Sequence, residues 1–344
     1  MGHAVTETAN APVKIRDVAA LAGVSPSTVS NALNRPERVA GETRRRVLAA
    51  VAQTGYVPNA SASRLRSLQN RVMGILSLDV TNAYHGALAK GAQDAAEAEG
   101  FVAMLCDCDA SLERAHRHIE FLSSQQVAGV LACGSSLPGV ADLLDELSSR
   151  GIAVVLLDET ATGADQCSVV VDDFRGGELV AQHLLDVGRR NIAFIHTDLR
   201  FAPFAARWAG LQKGASSHPH RAADELRQEH VPLATIHGEE TALDRIDLAG
   251  TDAVFCMNDN LAFVVLRNLL DRGIRVPDDI ALIGYDDREL ASLTVVPLSS
   301  VRQPAREVGA TAARLLVDEC DNDEHTHQHV LFQPELVART STTG

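Results

Sequence analysis

Apolar residues recur at helical spacing up to about residue 71; from Val72 onward, short apolar runs alternate with helical segments. In the first region Ile15, Val18, Ala19 and Ala22 form one stripe at i, i+3, i+4, i+7, predicting a helix that Gly23 stops. Ser25 then reads as an N-cap, with Pro26 at the first helical position where its missing N–H costs nothing. Val29, Ala32 and Leu33 give this second helix a narrow apolar face, opposite the short polar side chains of Ser27, Thr28, Ser30, Asn31 and Asn34. A third helix is predicted from about Glu42 to Thr54, closed by Gly55, with Val47, Leu48 and Val51 inward and Arg44, Arg45 and Arg46 outward. Two short helices joined by a Gly-containing turn describe a helix-turn-helix, whose second helix enters the DNA major groove.

The second region predicts strands at Val72–Leu78, Phe101–Cys106, Val127–Cys133, Ala153–Asp158, Ser168–Val171, Ile192–His196, Ala253–Met257 and Ile280–Tyr285, most followed by a helix that ends at glycine. Such alternation implies parallel, doubly wound sheets, and the segment is too long for one of them. The fold class expected is α/β: an all-α helix-turn-helix head followed by a two-lobed body. The boundaries expected are a disordered stretch at 1–12, the head at 13–58, a linker at 59–71 and the body at 72–344. Within the body, about 72–165 with 303–330 form one lobe, and about 166–302 with 331–344 form the other.

Composition narrows the classes. The 344 residues are 22% charged and 46% hydrophobic, which excludes collagen, extended disorder and a small disulfide scaffold. No apolar run approaches the ~20 residues of a membrane span, and Met1–Pro12 lacks a signal-peptide profile, so a cytoplasmic protein without membrane contact is expected. The six cysteines read as small buried hydrophobes or spare thiols. Net charge is −14, yet residues 13–71 carry ten Lys/Arg against three Asp/Glu. A basic head on an acidic body points to a polyanion-binding module attached to a body with another task.

Ile15-Arg16-Asp17-Val18-Ala19, the run from Gly23 to Asn34, Thr43-Arg44, and Gly55-Tyr56-Val57-Pro58-Asn59 resemble the DNA-binding head of the lactose/galactose-repressor (LacI/GalR) family. The resemblance implies that Pro26, Ser27 and Asn31 read base edges. It assigns phosphate contact or support of the turn to Ser25, Thr28, Ser30 and Asn34. Asn31 is the best candidate for bidentate readout, with adenine as its geometric partner. Ala40 stands where relatives place a capping Ser, and Thr43 compensates in part. The segment Asn59–Arg71 could form only about two helical turns, too short to be stable alone in water, so it is expected to fold against DNA. The resemblance makes it the family's hinge helix, with Asn59, Ala62 and Arg66 near DNA and Leu65 as a minor-groove wedge.

Ligands of such bodies bind beyond the carboxyl ends of the strands. There stand Asp79, Asn82, Tyr84 and His85 after the first strand, Asp158 at the end of the fourth, Arg207 in the helix after His196, Asn258 after the seventh and Asp286 after Tyr285. Carboxylates, amides, an arginine and aromatic rings suit a polyhydroxylated small molecule. The body also resembles the family's periplasmic-binding-protein-like core, through pieces such as Val171-Asp172-Asp173 with Gly176-Gly177, Arg207-Trp208-Ala209-Gly210, and Gly284-Tyr285-Asp286-Asp287. By that resemblance Tyr84, His85, Asp158, Arg207, Asn258 and Asp286 line the effector cleft. Asp173 reads equally as a helix N-cap, as does Asp259; Asp287 reads as solvent-facing, and Asp79 reads as orienting its loop or as touching the ligand.

His325, His327 and His329 alternate, but their polar surroundings favour a solvated loop over a metal site. No cofactor, metal or catalytic constellation is expected, so the chain is not read as an enzyme. The reading is a transcriptional regulator, a repressor by preference. It would bind operator DNA as a homodimer under control of a small-molecule effector, a sugar or similar metabolite. A solute-binding protein of a transport system and a nucleoside-responsive regulator are the alternatives.

Overall fold

The computed structural model describes residues 15–34, 39–54, 71–109, 111–134, 139–157, 165–219, 226–232, 246, 248–322 and 324–343, in two compact units divided after Asn70.

In the first unit α1 (Ile15–Ala22), α2 (Pro26–Asn34) and α3 (Gly41–Thr54) pack through Val18, Ala19, Ala22, Val29, Ala32, Val47 and Ala50. Gly23 adopts a φ of 64°, a left-handed conformation that a side chain would strain, so the chain turns sharply between α1 and α2. Ser25 caps α2: its Oγ accepts from Thr28 N–H at 3.1 Å. Leu48 departs from expectation. It is 43% exposed, because the face of α3 that meets α1 runs through Val47 and Ala50.

The second unit contains two parallel sheets. The first has the order β2 (Val102–Asp107), β1 (Val72–Ser77), β3 (Gly129–Ala132), β4 (Ala153–Leu156), β5 (Cys167–Val171), β11 (His329–Phe332). Alternation along its strands fills two cores. Met73, Ile75, Leu131 and Val155 face α4 (Ala83–Ala98) and α10 (Ala305–Asp321). Leu76, Val130, Ala132, Val154 and Leu156 face α5 (Leu112–Ser124) and α6 (Val140–Ser149). The second sheet has the order β7 (Arg227–His230), β6 (Ile192–His196), β8 (Ala253–Cys256), β9 (Ala281–Ile283), packed with α7 (Asp173–Asp186), α8 (Ala202–Ser217) and α9 (Asp259–Asp271). A short antiparallel pair, β10 (Ser300–Arg302) with β12 (Glu335–Val337), completes this lobe, and α11 (Thr340–Thr343) packs against β9.

The lobe boundary expected at 166 falls one strand too early. β5 belongs to the first sheet, where Leu156 pairs with Ser168 and Val171 with Phe332. The chain therefore changes lobe after Val171, near Gln303 and after Phe332. Among the described residues, no helix is long and apolar enough to cross a membrane.

Candidate functional site: a polar cleft at the strand ends

At the carboxyl ends of both sheets lies a pocket lined by Asn82, Tyr84, His85, Asp173, Phe201, Phe204, Arg207, Asn258, Asp286 and Gln303, with Leu157, Val171 and Pro203 at its margins. Its centre is Arg207, and close helix packing sets that side chain in place. α7 and α8 approach so nearly that a Cβ on Gly210 would lie 1.9 Å from the Phe174 carbonyl oxygen, and one on Gly177 would lie 2.1 Å from that of Arg207. Only glycines allow this approach, which sets Arg207 beside Asp173 of α7. Arg207 Nε donates to Asp173 Oδ1 at 2.8 Å, Nη1 donates to the Met257 carbonyl, and the guanidinium lies 3.6 Å above the Tyr285 ring. Burial opposes the arginine's charge, but Asp173, Tyr285 and Asp286 more than restore it. Arg207 is therefore a fixed, pre-oriented cation in a buried wall.

Asp286 supplies an acceptor. Burial, only partly offset by Arg207, pushes its carboxyl up to about 6. Oδ1 accepts from Gln303 Nε2 at 2.7 Å, while Oδ2 is buried without a hydrogen-bond partner among the described residues. The backbone here has a φ of 104°, a left-handed-side conformation that costs about 1–3 kcal/mol in a non-glycine residue and clusters at functional sites. His85 opens α4; burial lowers it to about 4, so it is a neutral imidazole, and its Nδ1 is also buried without a partner among the described residues. Asn82 and Asn258 use their side-chain oxygens to cap α4 and α9, accepting from Tyr84 N–H and Leu261 N–H at 3.0 Å each. That leaves each amide NH2 as the group available to a ligand. Tyr84, Phe201 and Phe204 add ring surfaces.

Six of the eight body residues predicted as effector contacts thus meet: Asn82, Tyr84, His85, Arg207, Asn258 and Asp286. Asp79 does not join them. It lines a wider adjoining cavity, and its Oδ1 accepts from Thr81 N–H at 2.8 Å and Thr81 Oγ1 at 2.6 Å, which orients the loop. Asp158 lies outside the described residues. Three side readings are corrected. Asp172, not Asp173, caps α7, accepting from Arg175 N–H. Asn258 rather than Asp259 caps α9. Asp287 is not solvent-facing: its side chain is 5% exposed and ion-paired with Arg302 and Arg339. Phe201, Phe204 and Gln303 were missed. The two phenylalanines stand one helical turn apart at the start of α8, a signal that also marks ordinary core, and Gln303 comes to the cleft where the chain crosses between lobes.

In the head, Pro26 is exposed at the start of α2, while Thr28 and Thr43 are partly buried. Asn59, Ala62, Leu65 and Arg66 lie outside the described residues, as do the side chains of Ser27, Ser30, Asn31 and Asn34.

A helix-turn-helix unit followed by a two-lobed body with a buried, charge-matched cleft defines the class of ligand-responsive DNA-binding regulators. Residues 14–59 match the model of the bacterial regulatory proteins of the lacI family, and residues 181–342 match that of the periplasmic binding protein-like domain. The HTH-type transcriptional regulator DegA of Bacillus subtilis is 31% identical, over 96% of this chain and 98% of that one. The HTH-type transcriptional repressor PurR of Vibrio campbellii is 30% identical, over 95% and 98%. Among solved structures, the complex of the transcriptional regulator CelR with cellobiose superposes with a TM-score of 0.69 at 26% identity, covering 96% of this chain and 99% of that one. The chain belongs to the lacI family of bacterial regulatory proteins and is a DNA-binding transcriptional regulator.

Proposed function

We propose that this regulator is a repressor that binds a near-palindromic operator as a homodimer and responds to a carbohydrate or similarly polyhydroxylated metabolite in the cleft. The observation that carries the ligand class is the Arg207–Asp173–Asp286 constellation. A fixed cation, carboxylate acceptors and amide donors converge between Tyr84 and Phe204, so hydroxyl groups find both donors and acceptors while a ring face finds an aromatic wall. The cellobiose bound by CelR supports the same class, and the repressor named among the relatives supports the direction of control. A nucleoside shares the hydroxyls and is the second reading, favoured by the rings of Phe201 and Phe204.

One α2 helix reads too few base pairs for useful specificity, so two heads are required. The second lobe offers a surface for a second copy: Leu290, Leu293 and Val295 are 51%, 70% and 90% exposed, an apolar run that a monomer would leave in water. Asn31 would read adenine, and the segment carrying Leu65 would order only on the duplex. Closure of the lobes on effector would alter the surface that positions the two hinges, so the effector shifts operator affinity by its differential affinity for the two closure states. A thermal-shift screen of mono- and disaccharides and nucleosides against the full-length protein tests the class. A carbohydrate that raises the melting temperature of the wild type but not of Asp286→Asn supports the reading; stabilisation by nucleosides alone replaces it with the second.

A further inference from the structure

The first lobe carries a cluster of side chains that the cleft does not use. Cys167 opens β5 and is fully buried, Glu319 lies near the end of α10, and His325 and His327 lie in the connection from α10 to β11. Cys167 Sγ is 3.3 Å from His325 Nε2 and 3.7 Å from His327 Nδ1. Glu319 Oε2 is 4.0 Å and 3.9 Å from the same two nitrogens, and it is buried without a hydrogen-bond partner among the described residues. All four ligand atoms lie within 4.8 Å of one another. This replaces the expected solvated loop: the His325 side chain is 5% exposed. His329 does not join, since its Nδ1 lies 2.9 Å from Ser168 Oγ.

The donor set and its spacing are those of a tetrahedral site. Zn–S of ~2.3 Å and Zn–N of ~2.0–2.1 Å separate sulfur from nitrogen ligands by about 3.5 Å, so the two Cys–His distances already fit, and the Glu319 carboxylate closes the site by moving inward. The surroundings also match. His325 Nδ1 donates to Asp318 Oδ2 at 2.7 Å, which fixes the tautomer and leaves the Nε2 lone pair facing Cys167. Gln328 N–H donates to Cys167 Sγ at 3.3 Å, a hydrogen bond that steadies a thiolate. One thiolate and one carboxylate balance a divalent cation, so the loaded site is electrically neutral.

We propose that Cys167, Glu319, His325 and His327 form a binding site for a thiophilic divalent cation of the zinc class. On binding, the Cys167 thiol proton passes to solvent and the sulfur–metal bond takes its place. The ligands come from three segments, so the ion staples the start of β5 to the end of α10. This is the amino end of the parallel strands, where β1 also begins, opposite the cleft, and Asp321 on the same turn of α10 pairs with Arg71 at 3.2 Å. The staple therefore fixes the end of the body at which the chain enters from residue 70.

The test titrates chelator-stripped full-length protein with cobalt(II) and then zinc(II), recording absorption spectra and melting curves. One equivalent of cobalt is expected to give a thiolate charge-transfer band and intense visible bands of tetrahedral cobalt, both erased by zinc, and zinc raises the melting temperature. Cys167→Ser removes the charge-transfer band. His327→Gln, at a partly exposed position, lowers zinc affinity roughly tenfold or more and cancels the thermal shift. Asp318→Asn weakens binding by about 10- to 100-fold. Wild-type protein without the charge-transfer band, or equal zinc affinity in the wild type, Cys167→Ser and His327→Gln, overturns the proposal; the latter result places the ion elsewhere.

Discussion

Single residues in the cleft combine recognition with a cost to stability. Asp286 holds a strained backbone and a buried carboxylate oxygen that a ligand hydroxyl can satisfy. A hydrogen bond to a charged acceptor is worth about 1.5–3 kcal/mol, so Asp286→Asn is expected to weaken effector affinity roughly 10- to 150-fold while operator affinity without effector is unchanged, as read by calorimetry and a duplex titration. Asp259 lies behind it, fully buried, accepting from Ser300 Oγ and Arg288 N–H. Burial, reinforced by the charge of Asp286, pushes its carboxyl up to about 8. The native state then keeps a proton that the unfolded chain releases near 4, so this contribution to stability is full below about pH 4 and is lost as pH rises toward 8. Asp259→Asn, whose amide can donate to Ser300 and accept from Arg288 N–H, should flatten that slope and leave the protein no less stable than wild type at pH 8 in urea denaturation. A variant as steeply pH-dependent as the wild type would contradict the assignment.

At the scale of elements, the cleft depends on how closely α7 and α8 pack. Gly210→Ala places a methyl group against the Phe174 carbonyl; overpacking of this kind costs about 1–3 kcal/mol, and separating the helices also shifts Arg207 from Asp173. Lower thermal stability together with weaker effector binding is expected, and wild-type values for both would remove the packing argument. In the linker, Leu65→Ala should weaken specific operator binding and spare effector affinity, measured separately by duplex titration and calorimetry.

Elements rich in apolar residues were legible in the sequence: all eight strands read there exist, because parallel strands buried on both faces are continuous apolar runs. β7, Arg227–His230, was not, since an edge strand of Arg, Gln, Glu and His carries no such run. The site was legible where motif and strand end coincide, as at Arg207 and Asp286, and illegible where tertiary contact decides. Nothing in the spacing of Cys167 and Glu319 foretells that they meet His325 and His327, because sheet order alone brings β5 against β11.

The whole molecule divides charge as it divides labour. The basic segment at 13–71 and the acidic remainder give a protein whose affinity for DNA should fall steeply with salt, as counterions reclaim the phosphates. The account turns on one coupling, between occupation of the Arg207–Asp286 cleft and affinity for DNA. It is measured by fluorescence anisotropy of a labelled palindromic duplex from upstream of the protein's own reading frame, titrated with and without the carbohydrate that gives the largest thermal shift. The expected result is salt-sensitive, dimeric binding whose midpoint moves with the carbohydrate in the wild type and stays fixed in Asp286→Asn. A midpoint that the carbohydrate leaves unmoved in the wild type, or moves equally in both proteins, would contradict it.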